Sequence, residues 1–529
     1  MNFNRLYLFL PLLLSTLACG DEWLDETEVG TNRTTGFTSN EDYDKLVQGA
    51  YFSYGAPGAE LSFLDMDIIH GIATSDLVRL IPGASVIAGI RQVNDLYFRQ
   101  ADRDNIGWLS RGFYGGYQAI HLSSLVLDFY ENNEPFDDGV DRIPYTRGDA
   151  HFARALAYYK ESQVFAPPLS SAPDALTMPL RTEPTTSAND NLPLATNRAI
   201  YDQIIADAEA AIELLPSITD IINNPGDYPP TALGRGNREA AQALLAWVYF
   251  EQGNDGDSWD QALRYVGEVL GSTTPGAASA TFPLVQSDNL QTGVFVPGGN
   301  WPDESFAQVR ASETIFQWIN NLTWRGIRVD GPLSSNLLTP GDERRGLAMS
   351  SSAREITGWN DAAAAALDQR YRDWYVRLTP NNGDDTVLVN TEDPVYGPAL
   401  YAPFEDNIWT TKWQNIVMNL PLFRSPQMYL IRAAINVERG DAEAARQDLN
   451  VTRTRAGLEP LTGVVTFNDV EAEWIKELAF EGTRLRFLRA LRRDVGPGDR
   501  PNATAIPYDD PSLVFALPEV ETIRNPEIE

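Results

Sequence analysis

Residues 422–458, LFRSPQMYLIRAAINVERGDAEAARQDLNVTRTRAGL, contain the pattern that decides the fold. Two apolar runs recur there at the spacing of a helix face: Met428, Ile431 and Ile435, then Ala442, Ala445 and Leu449. Gly440 and Asp441 lie between the runs and supply a turn signal. The stretch therefore predicts two helices that pack against each other across a tight turn, with small residues where they approach closely.

An upstream stretch, 238–270, repeats this arrangement as REAAQALLAWVYFEQGNDGDSWDQALRYVGEVL. Its first apolar face includes Ala243 and Trp247, Gly253 breaks the helix, and its second face includes Trp259 and Val266. Both stretches are helix–turn–helix units of about tetratricopeptide size. We expect both tryptophans here to pack in the core, because they fall on helical apolar stripes.

Helical periodicity also marks most of the N-terminal half. The pattern Thr38-Ser-Asn-Glu41 is a capping box that predicts a helix start. A clean apolar stripe runs from Tyr201 to Leu215, and Pro216 ends it. Further stripes are predicted around 108–125 and 152–159. The chain is therefore predicted to be mainly α.

The middle of the chain, 272–415, differs because it is rich in Gly, Pro, Asn and Thr and has only short helical patterns. We expect a loop-rich, mixed subdomain set on the helical scaffold of about 35–271 and 416–495. Loops on a rigid scaffold commonly carry recognition residues. No linker of Gly, Ser and Pro divides residues 35–529, which predicts a single domain.

Composition excludes several classes of function. The 529 residues carry 73 acidic and 41 basic side chains, a formal charge of −32, which repels nucleic acid and anionic lipid headgroups. One cysteine and three histidines leave no disulfide framework and make a metal site unexpected. No nucleophile elbow, zinc-protease motif or phosphate-binding loop occurs, so we expect neither a cofactor nor catalysis.

The N-terminus reads as an export signal. Residues 6–17 form an apolar run that is too short to span a bilayer but suits a signal-peptide core. Cys19, the only cysteine, follows directly and resembles the acylated cysteine of bacterial lipoproteins, although Thr16 stands where leucine is usual. We predict a signal peptide over 1–18, lipidation of Cys19 and an acidic tether over 19–34. An ordinary secretory signal is the alternative.

Several segments together resemble the SusD/RagB family of surface glycan-binding lipoproteins. The most specific is the stretch 422–458; the others are DYDKLVQGAYFSY, GDAHFARALAYYKESQVFAPPL, GRGNREAAQALLAWVYFEQGN, SETIFQWINN, LTPGDERRG, IKELAFEGTRLRFLRALRR and FALPEVETIRNPEIE. The resemblance runs nearly end to end. It departs at Gln427 and Ala434, where the family usually has acids, so the chain is a divergent member.

The resemblance implies a fold and a role. The fold would be a right-handed superhelical scaffold of tetratricopeptide-like helix pairs with a loop-rich middle part. The protein would face the extracellular side of the outer membrane, touching the membrane only through its lipid anchor. It would bind oligosaccharides or polysaccharides without cleaving them and deliver them to a TonB-dependent transporter of the SusC type.

Sugar recognition needs aromatic faces and polar side chains that bind hydroxyl groups. The loop-rich middle offers such residues: Asn300, Trp301, Asn321, Trp324, Arg325, Trp359 and Trp374. Trp409 and Trp413 follow them. The family's binding face also draws on a region that corresponds here to Asp76, Asn94 and Tyr97. Apart from Trp409 and Trp413, these are the candidate ligand-binding residues.

Three other functions remain open from the sequence. The cargo could be peptide, captured by the same lid mechanism. The protein could be a glycan hydrolase on a helical scaffold, in which two carboxylates would have pKa values pushed apart. It could also be a structural lid that touches its transporter and no nutrient, in which case the loop tryptophans would all be buried.

Overall fold

The computed structural model describes residues 37–54, 63–80, 95–100, 107–139, 142–185, 190–295, 310–319, 347–378, 407–413 and 419–528. The predicted signal peptide, Cys19 and the acidic tether lie outside these residues.

The chain is mainly helical, as predicted. The helices are α1 Asn40–Tyr54, α2 Phe63–Ala73, α3 Gly107–Asn132, α4 Ile143–Phe165, α5 Asn197–Leu214, α6 Ile218–Asn223, α7 Arg238–Glu251, α8 Ser258–Leu270, α9 Leu290–Val294, α10 Ser351–Thr357, α11 Ala362–Ala365, α12 Gln369–Trp374, α13 Ser425–Glu438, α14 Ala442–Arg455, α15 Phe467–Leu478, α16 Thr483–Ala490 and α17 Glu519–Arg524.

Within the described residues, short strands form four two-stranded antiparallel sheets, in the pairings β1–β5, β2–β3, β4–β8 and β6–β7. The strands are β1 Val78–Leu80, β2 Leu176–Pro179, β3 Leu194–Thr196, β4 Thr314–Trp318, β5 Leu347–Met349, β6 Tyr375–Leu378, β7 Asn407–Thr410 and β8 Leu420–Arg424. Three of the four sheets pair a strand of the middle part with a partner, and two of these reach outside it, to β1 and β8. The sheets therefore join the mixed middle part to the helices.

The predicted helix pairs are confirmed as helices with turns between them. Helices α13 and α14 meet around Gly440, whose φ of +83° lies in the left-handed region that glycine adopts without strain. Neighbouring helices pack in succession along the chain, α1 on α3, α3 on α4, α4 on α5, α5 on α7 and α7 on α8, and α8 then contacts α13. The tetratricopeptide-like superhelix and the single domain remain predictions.

The predicted capping box is wrong by one residue. Helix α1 begins at Asn40, so Ser39 is the N-cap and exchanges hydrogen bonds with Asp42 rather than Thr38 with Glu41. Asn40 fixes this start, because its backbone and side-chain N–H groups donate to Asp138 at 2.7 and 2.8 Å. A contact with a residue 98 positions away in the sequence thus determines which of the two capping patterns begins the helix.

A buried ion network joins the helical scaffold to the middle part. The Glu477 carboxylate of α15 accepts from Arg424 at the end of β8 (3.1 Å), from Arg455 of α14 and from Arg370 of α12 (3.3 Å). Glu313, just before β4, pairs with Arg424 at 2.6 Å and with Arg455 at 3.0 Å. These side chains are 6% exposed or less. Burial in a medium of low dielectric makes such charges costly unless every one is paired.

A second buried ion cluster holds the N-terminal helices. Arg235 donates to Asp149 of α4 at 2.6 Å and to Asp44 of α1 at 2.8 and 3.0 Å. The Gly236 N–H donates to the same Asp149 carboxylate, and a Cβ at Gly236 would lie 2.8 Å from it. Trp247 and Trp259 are buried in the neighbouring core, as their helical positions predicted.

Removing Arg424 should strongly destabilise the fold. Arg424→Met removes one counter-charge that Glu313, Glu477 and Glu481 share, so the buried network is left with excess negative charge and we expect the free energy of unfolding to fall by about 3–5 kcal/mol. The control is Arg493→Met, which removes an exposed pair with Glu438 and should cost about 1 kcal/mol or less. Urea unfolding measures both. Equal losses in the two variants would contradict the role of the network.

One buried carboxylate lacks partners, and its replacement should stabilise the protein. Glu161 of α4 is fully buried, and neither of its oxygens has a hydrogen-bond partner. Burial raises the pKa of Glu161 well above its usual range, and the nearby Asp67 adds to the rise. Glu161→Met should therefore raise the free energy of unfolding at pH 7 by about 1–3 kcal/mol, the cost of an unsatisfied polar group.

The pH dependence tests the same interpretation. Because the folded pKa exceeds the ordinary value of 4.5, the destabilisation caused by Glu161 is smallest below pH 4.5, grows as the pH rises above 4.5, and levels off above the raised pKa. The gain from Glu161→Met should therefore shrink on acidification. Glu477→Met is the matched control, since Glu477 is equally buried but has three arginine partners, and it should destabilise. A loss of stability in both variants would refute the interpretation.

Candidate functional site

Two of the predicted sugar-binding tryptophans lie in the packed core. Trp359 is 2% exposed, with the rings of Tyr371 and Tyr375 at 5.2 and 4.9 Å between centroids. Trp374 is fully buried, and its ring lies 4.7 Å from the Lys412 Nζ. In the described conformation neither indole offers a face to a sugar, which corrects the expectation for both residues.

Trp374 is buried because the ion network surrounds it. The guanidinium groups of Arg424 and Arg455 lie 5.8 and 5.5 Å from its ring centroid, so the indole covers cations that have left water. Trp409 and Trp413 are also buried, at 1% exposure each, and the Trp413 indole N–H donates to the Phe480 carbonyl oxygen at 2.9 Å. These rings therefore contribute to packing.

Asp76 and Tyr97 also have structural partners. Asp76 accepts two hydrogen bonds from Arg484, both of 2.8 Å, in a bidentate pair between the turn after α2 and α16. Burial acts to raise the pKa of Asp76, but Arg484 outweighs it and holds the pKa below its usual value. Tyr97 is 2% exposed beneath the guanidinium of Arg500, 4.5 Å away. Neither side chain is open to a ligand in this conformation.

The remaining candidates lie outside the described residues: Asn94, Asn300, Trp301, Asn321, Trp324 and Arg325. Their assignment to ligand binding stays a prediction.

The described residues form a cleft that the sequence did not predict. It has a volume of about 650 Å³ and lies between the start of α4, the end of α5, the start of α7 and the loop after α6. A cleft of this size is typical of small-ligand sites. Its lining includes Arg142, Tyr145, Pro216, Asp227, Tyr228 and Arg238. We call it the Tyr228 cleft.

A second, more apolar cleft of about 300 Å³ adjoins the first and shares Tyr228 with it. Its lining includes Ile222, Pro225, Pro229, Pro230, Leu233 and Arg310. The loop 224–231 therefore stands between two cavities with Tyr228 on both sides. Ile222 is 47% exposed, which gives this cleft an uncovered apolar wall.

Two tyrosines form the floor and side of the Tyr228 cleft. Tyr145 is 3% exposed and lies beneath Arg235, whose guanidinium carbon is 5.3 Å from the ring centroid. Tyr228 is half-buried, and its ring centroid lies 5.5 Å from that of Tyr145. Its hydroxyl bonds to Asp220 of α6; burial and this contact raise the pKa of Tyr228 to about 12. The Tyr145 hydroxyl makes no hydrogen bond.

Three arginines in these clefts have no carboxylate within ion-pair distance among the described residues: Arg142, Arg238 and Arg310. Eight of the ten described buried arginines pair with carboxylates, whereas these three arginines are half-buried or exposed. Burial lowers the pKa of Arg310 to about 10, and it remains charged at neutral pH.

Acidic groups also lie at or beside the clefts. Asp227 is exposed on the loop, Asp220 is held by Tyr228, and Glu239 accepts the Ile218 N–H at 2.9 Å. Burial raises the pKa of Glu239, opposed by Arg238 and Arg310, which lie near it. The uncapped N-terminus of α4, at Arg142, adds partial positive charge to the same side. The rim of the Tyr228 cleft therefore combines the carboxylate of Asp227 with two arginines that make no ion pair among the described residues.

The sequence carried only a weak signal for this site. The stretch NNPGDYPPTALGRG, 223–236, has glycines at a spacing that does not fit a phosphate loop, and it offered no motif. The one feature of this stretch that indicates a binding site is its single tyrosine, Tyr228, which lies between prolines. The basic residues come from 142 and 238, almost 100 residues apart, so only the packing of α4 beside α5 and α7 brings them together.

Two further observations concern metal binding and membrane insertion. In the described part of the chain, no group of three or more potential metal-ligating side chains is placed to hold an ion. No described helix has both the length and the apolar character needed to traverse a bilayer.

Comparisons with known proteins agree with this fold. A family model described as "Starch-binding associating with outer membrane" matches residues 83–250, and the model of the SusD family matches residues 348–493. Together these matches span more than half of the chain. No curated protein matches the chain significantly.

Solved structures align along nearly the whole chain. A SusD superfamily protein from Bacteroides thetaiotaomicron is 17% identical with a TM-score of 0.72, and the alignment covers 93% of this chain and 99% of that one. A laminarin-binding SusD-like protein is 19% identical and the surface glycan-binding protein A from Bacteroides uniformis is 18% identical; each has a TM-score of 0.64 and the same coverage. The chain belongs to the SusD/RagB family.

Proposed function

We propose that this protein is a non-catalytic surface lipoprotein that binds oligosaccharides or polysaccharides and delivers them to a TonB-dependent transporter of the SusC type. The observation that carries the proposal is the agreement of fold along 93% of the chain with proteins named for laminarin and glycan binding. The family model for residues 83–250 is itself described by starch binding and association with the outer membrane.

The chemistry of the described residues is consistent with binding. The tyrosine-lined clefts combine aromatic faces with arginine donors, which suit the apolar ring faces and hydroxyl groups of sugars. We further propose that Trp301 and Trp324 contribute to the ligand-binding face. Asn300, Asn321 and Arg325, which are close to them in the sequence, would contribute as well. So would Asn94, which the family's pattern assigns to the same face. The loss of Trp359 and Trp374 to the core leaves these two as the indole candidates of the middle part.

Calorimetric titration of the purified protein with a panel of glycans and peptides tests the proposal. We expect saturable binding of at least one glycan, no binding of peptides, and no released reducing ends after prolonged incubation. Peptide binding alone would favour the alternative cargo, released reducing ends would favour a hydrolase, and the absence of any binding would favour a structural lid.

The double variant Trp301→Ala/Trp324→Ala should lose most of the glycan affinity, by at least tenfold, because stacked aromatic rings supply much of the contact with a sugar. The control is Tyr114→Ala, which removes an aromatic ring that is 39% exposed on α3. Calorimetry with the best glycan of the panel measures both variants. An unchanged affinity in the double variant would remove these tryptophans from the site.

The anchor can be tested separately. Cys19→Ser should abolish the incorporation of labelled fatty acid and move the protein from the membrane fraction to the soluble fraction, because only acyl chains provide membrane affinity in the proposed arrangement. Protease accessibility on intact cells then reports on surface exposure of the wild-type protein. Membrane association that persists in the variant would contradict the proposed lipid anchor.

A further inference from the structure

The side chains that line the Tyr228 cleft suit a particular class of ligand. Its rim holds Arg142 and Arg238, neither of which has a partner among the described residues, and these flank the half-buried ring of Tyr228. An unpaired guanidinium presents several N–H donors in a fork that matches an oxyanion. Arg142 is half-buried and Arg238 is exposed at this cleft, so both guanidinium groups are accessible to a ligand there.

We propose that the Tyr228 cleft binds a sugar residue that carries an anionic substituent, a carboxylate or a sulfate ester. This inference rests on the proposed glycan-binding function and adds a ligand class and a place to it. The anionic group would bind between Arg142 and Arg238, and the apolar face of the sugar ring would pack on Tyr228. A volume of about 650 Å³ leaves room for more than one sugar ring.

The net negative charge of the protein does not prevent an anionic sugar from binding in the Tyr228 cleft. Charges at the surface are screened beyond about 8 Å at physiological ionic strength, so the net charge of −32 has little effect inside the cleft. Near the cleft, the carboxylates of Asp220 and Glu239 already accept from the Tyr228 hydroxyl and the Ile218 N–H, whereas Arg142 and Arg238 make no ion pair among the described residues. The start of α4 adds to the positive potential on the same side.

The floor of the cleft is held before a ligand arrives. Tyr145 packs beneath Arg235, which is fixed by Asp44 and Asp149 in the buried cluster between α1 and α4. Its hydroxyl has no hydrogen-bond partner, so the wall of the cleft retains an unpaired polar group. A floor that needs no reordering lowers the entropic cost of binding.

The experiment compares three oligosaccharide probes by calorimetry on the full-length protein. Oligogalacturonate carries carboxylates, its methyl-esterified form carries the same rings without charge, and a carrageenan oligosaccharide carries sulfate esters. We expect one or both anionic probes to bind at least tenfold more tightly than the methyl-esterified probe. That affinity should weaken as NaCl rises from 50 to 500 mM, because the arginines are at the rim.

Variants then assign the binding to this cleft. Arg142→Gln/Arg238→Gln should weaken the anionic probe at least tenfold, and Arg142→Lys/Arg238→Lys should restore part of the loss because charge returns without the fork. Arg439→Gln/Arg446→Gln removes two charges at the end of α13 and within α14 and should have no effect. Thermal melting checks that each variant folds.

The outcomes separate the two proposals. If neutral glycans from the broader panel bind but neither anionic probe binds better than the esterified one, the cleft inference fails and glycan binding stands. If an anionic probe binds and the Arg142/Arg238 variant does not weaken it, the inference also fails, since the ligand lies elsewhere. If no glycan of either kind binds, the proposed function fails and the inference falls with it.

Discussion

The structure depends on the pairing of Glu477 with three arginines in an interior that excludes water. Arg370, Arg424 and Arg455 come from α12, β8 and α14, so a single carboxylate joins the mixed middle part to the helical scaffold. Each charge is costly when buried alone and tolerable when the others are in place. Assembly of these elements is therefore cooperative, because none of them can reach its native position at low cost in free energy while another is missing. The network also explains why an indole, that of Trp374, lies at the centre of the protein, since its ring faces the cations that the network buries.

This arrangement distributes charge unevenly between the interior and the surface. Arginines are drawn inward to pair with buried carboxylates, as Arg235, Arg432 and Arg484 do, and the acids in excess remain outside. The net charge of −32 is therefore largely a surface property. On such a surface an arginine without a partner carries more information than it would on a neutral protein, because attractive partners are abundant. The two arginines beside Tyr228 have no ion-pair partner among the described residues and line one cleft together, and that combination points to a ligand.

The sequence predicted the helices well because their signal is local. Stripes such as Tyr201 to Ala211 and the turn at Gly440 depend on residues within one or two helical turns, and both are confirmed. The roles of tryptophans could not be predicted in the same way. A loop position next to Asn and Gly looks the same whether the ring faces solvent or covers a buried cation, and the partners of Trp374 lie between 38 and 81 residues away. The Tyr228 cleft was missed for the same reason: its arginines converge only through the packing of α4, α5 and α7.

The floor of the Tyr228 cleft and the loop that carries Tyr228 differ in how they can respond to a ligand. The cluster of Asp44, Arg235 and Asp149 fixes the floor beneath Tyr145, so the floor cannot adapt to different ligands. Tyr228, in contrast, is tied to the chain by its hydroxyl contact with Asp220 and lies on a loop of prolines, glycine and exposed residues. Proline restricts the backbone of that loop, which limits the entropy that ordering would cost. Discrimination between neutral and anionic sugars then depends on the charged groups at the rim, because the rigid, uncharged ring of Tyr145 contacts both kinds of sugar alike.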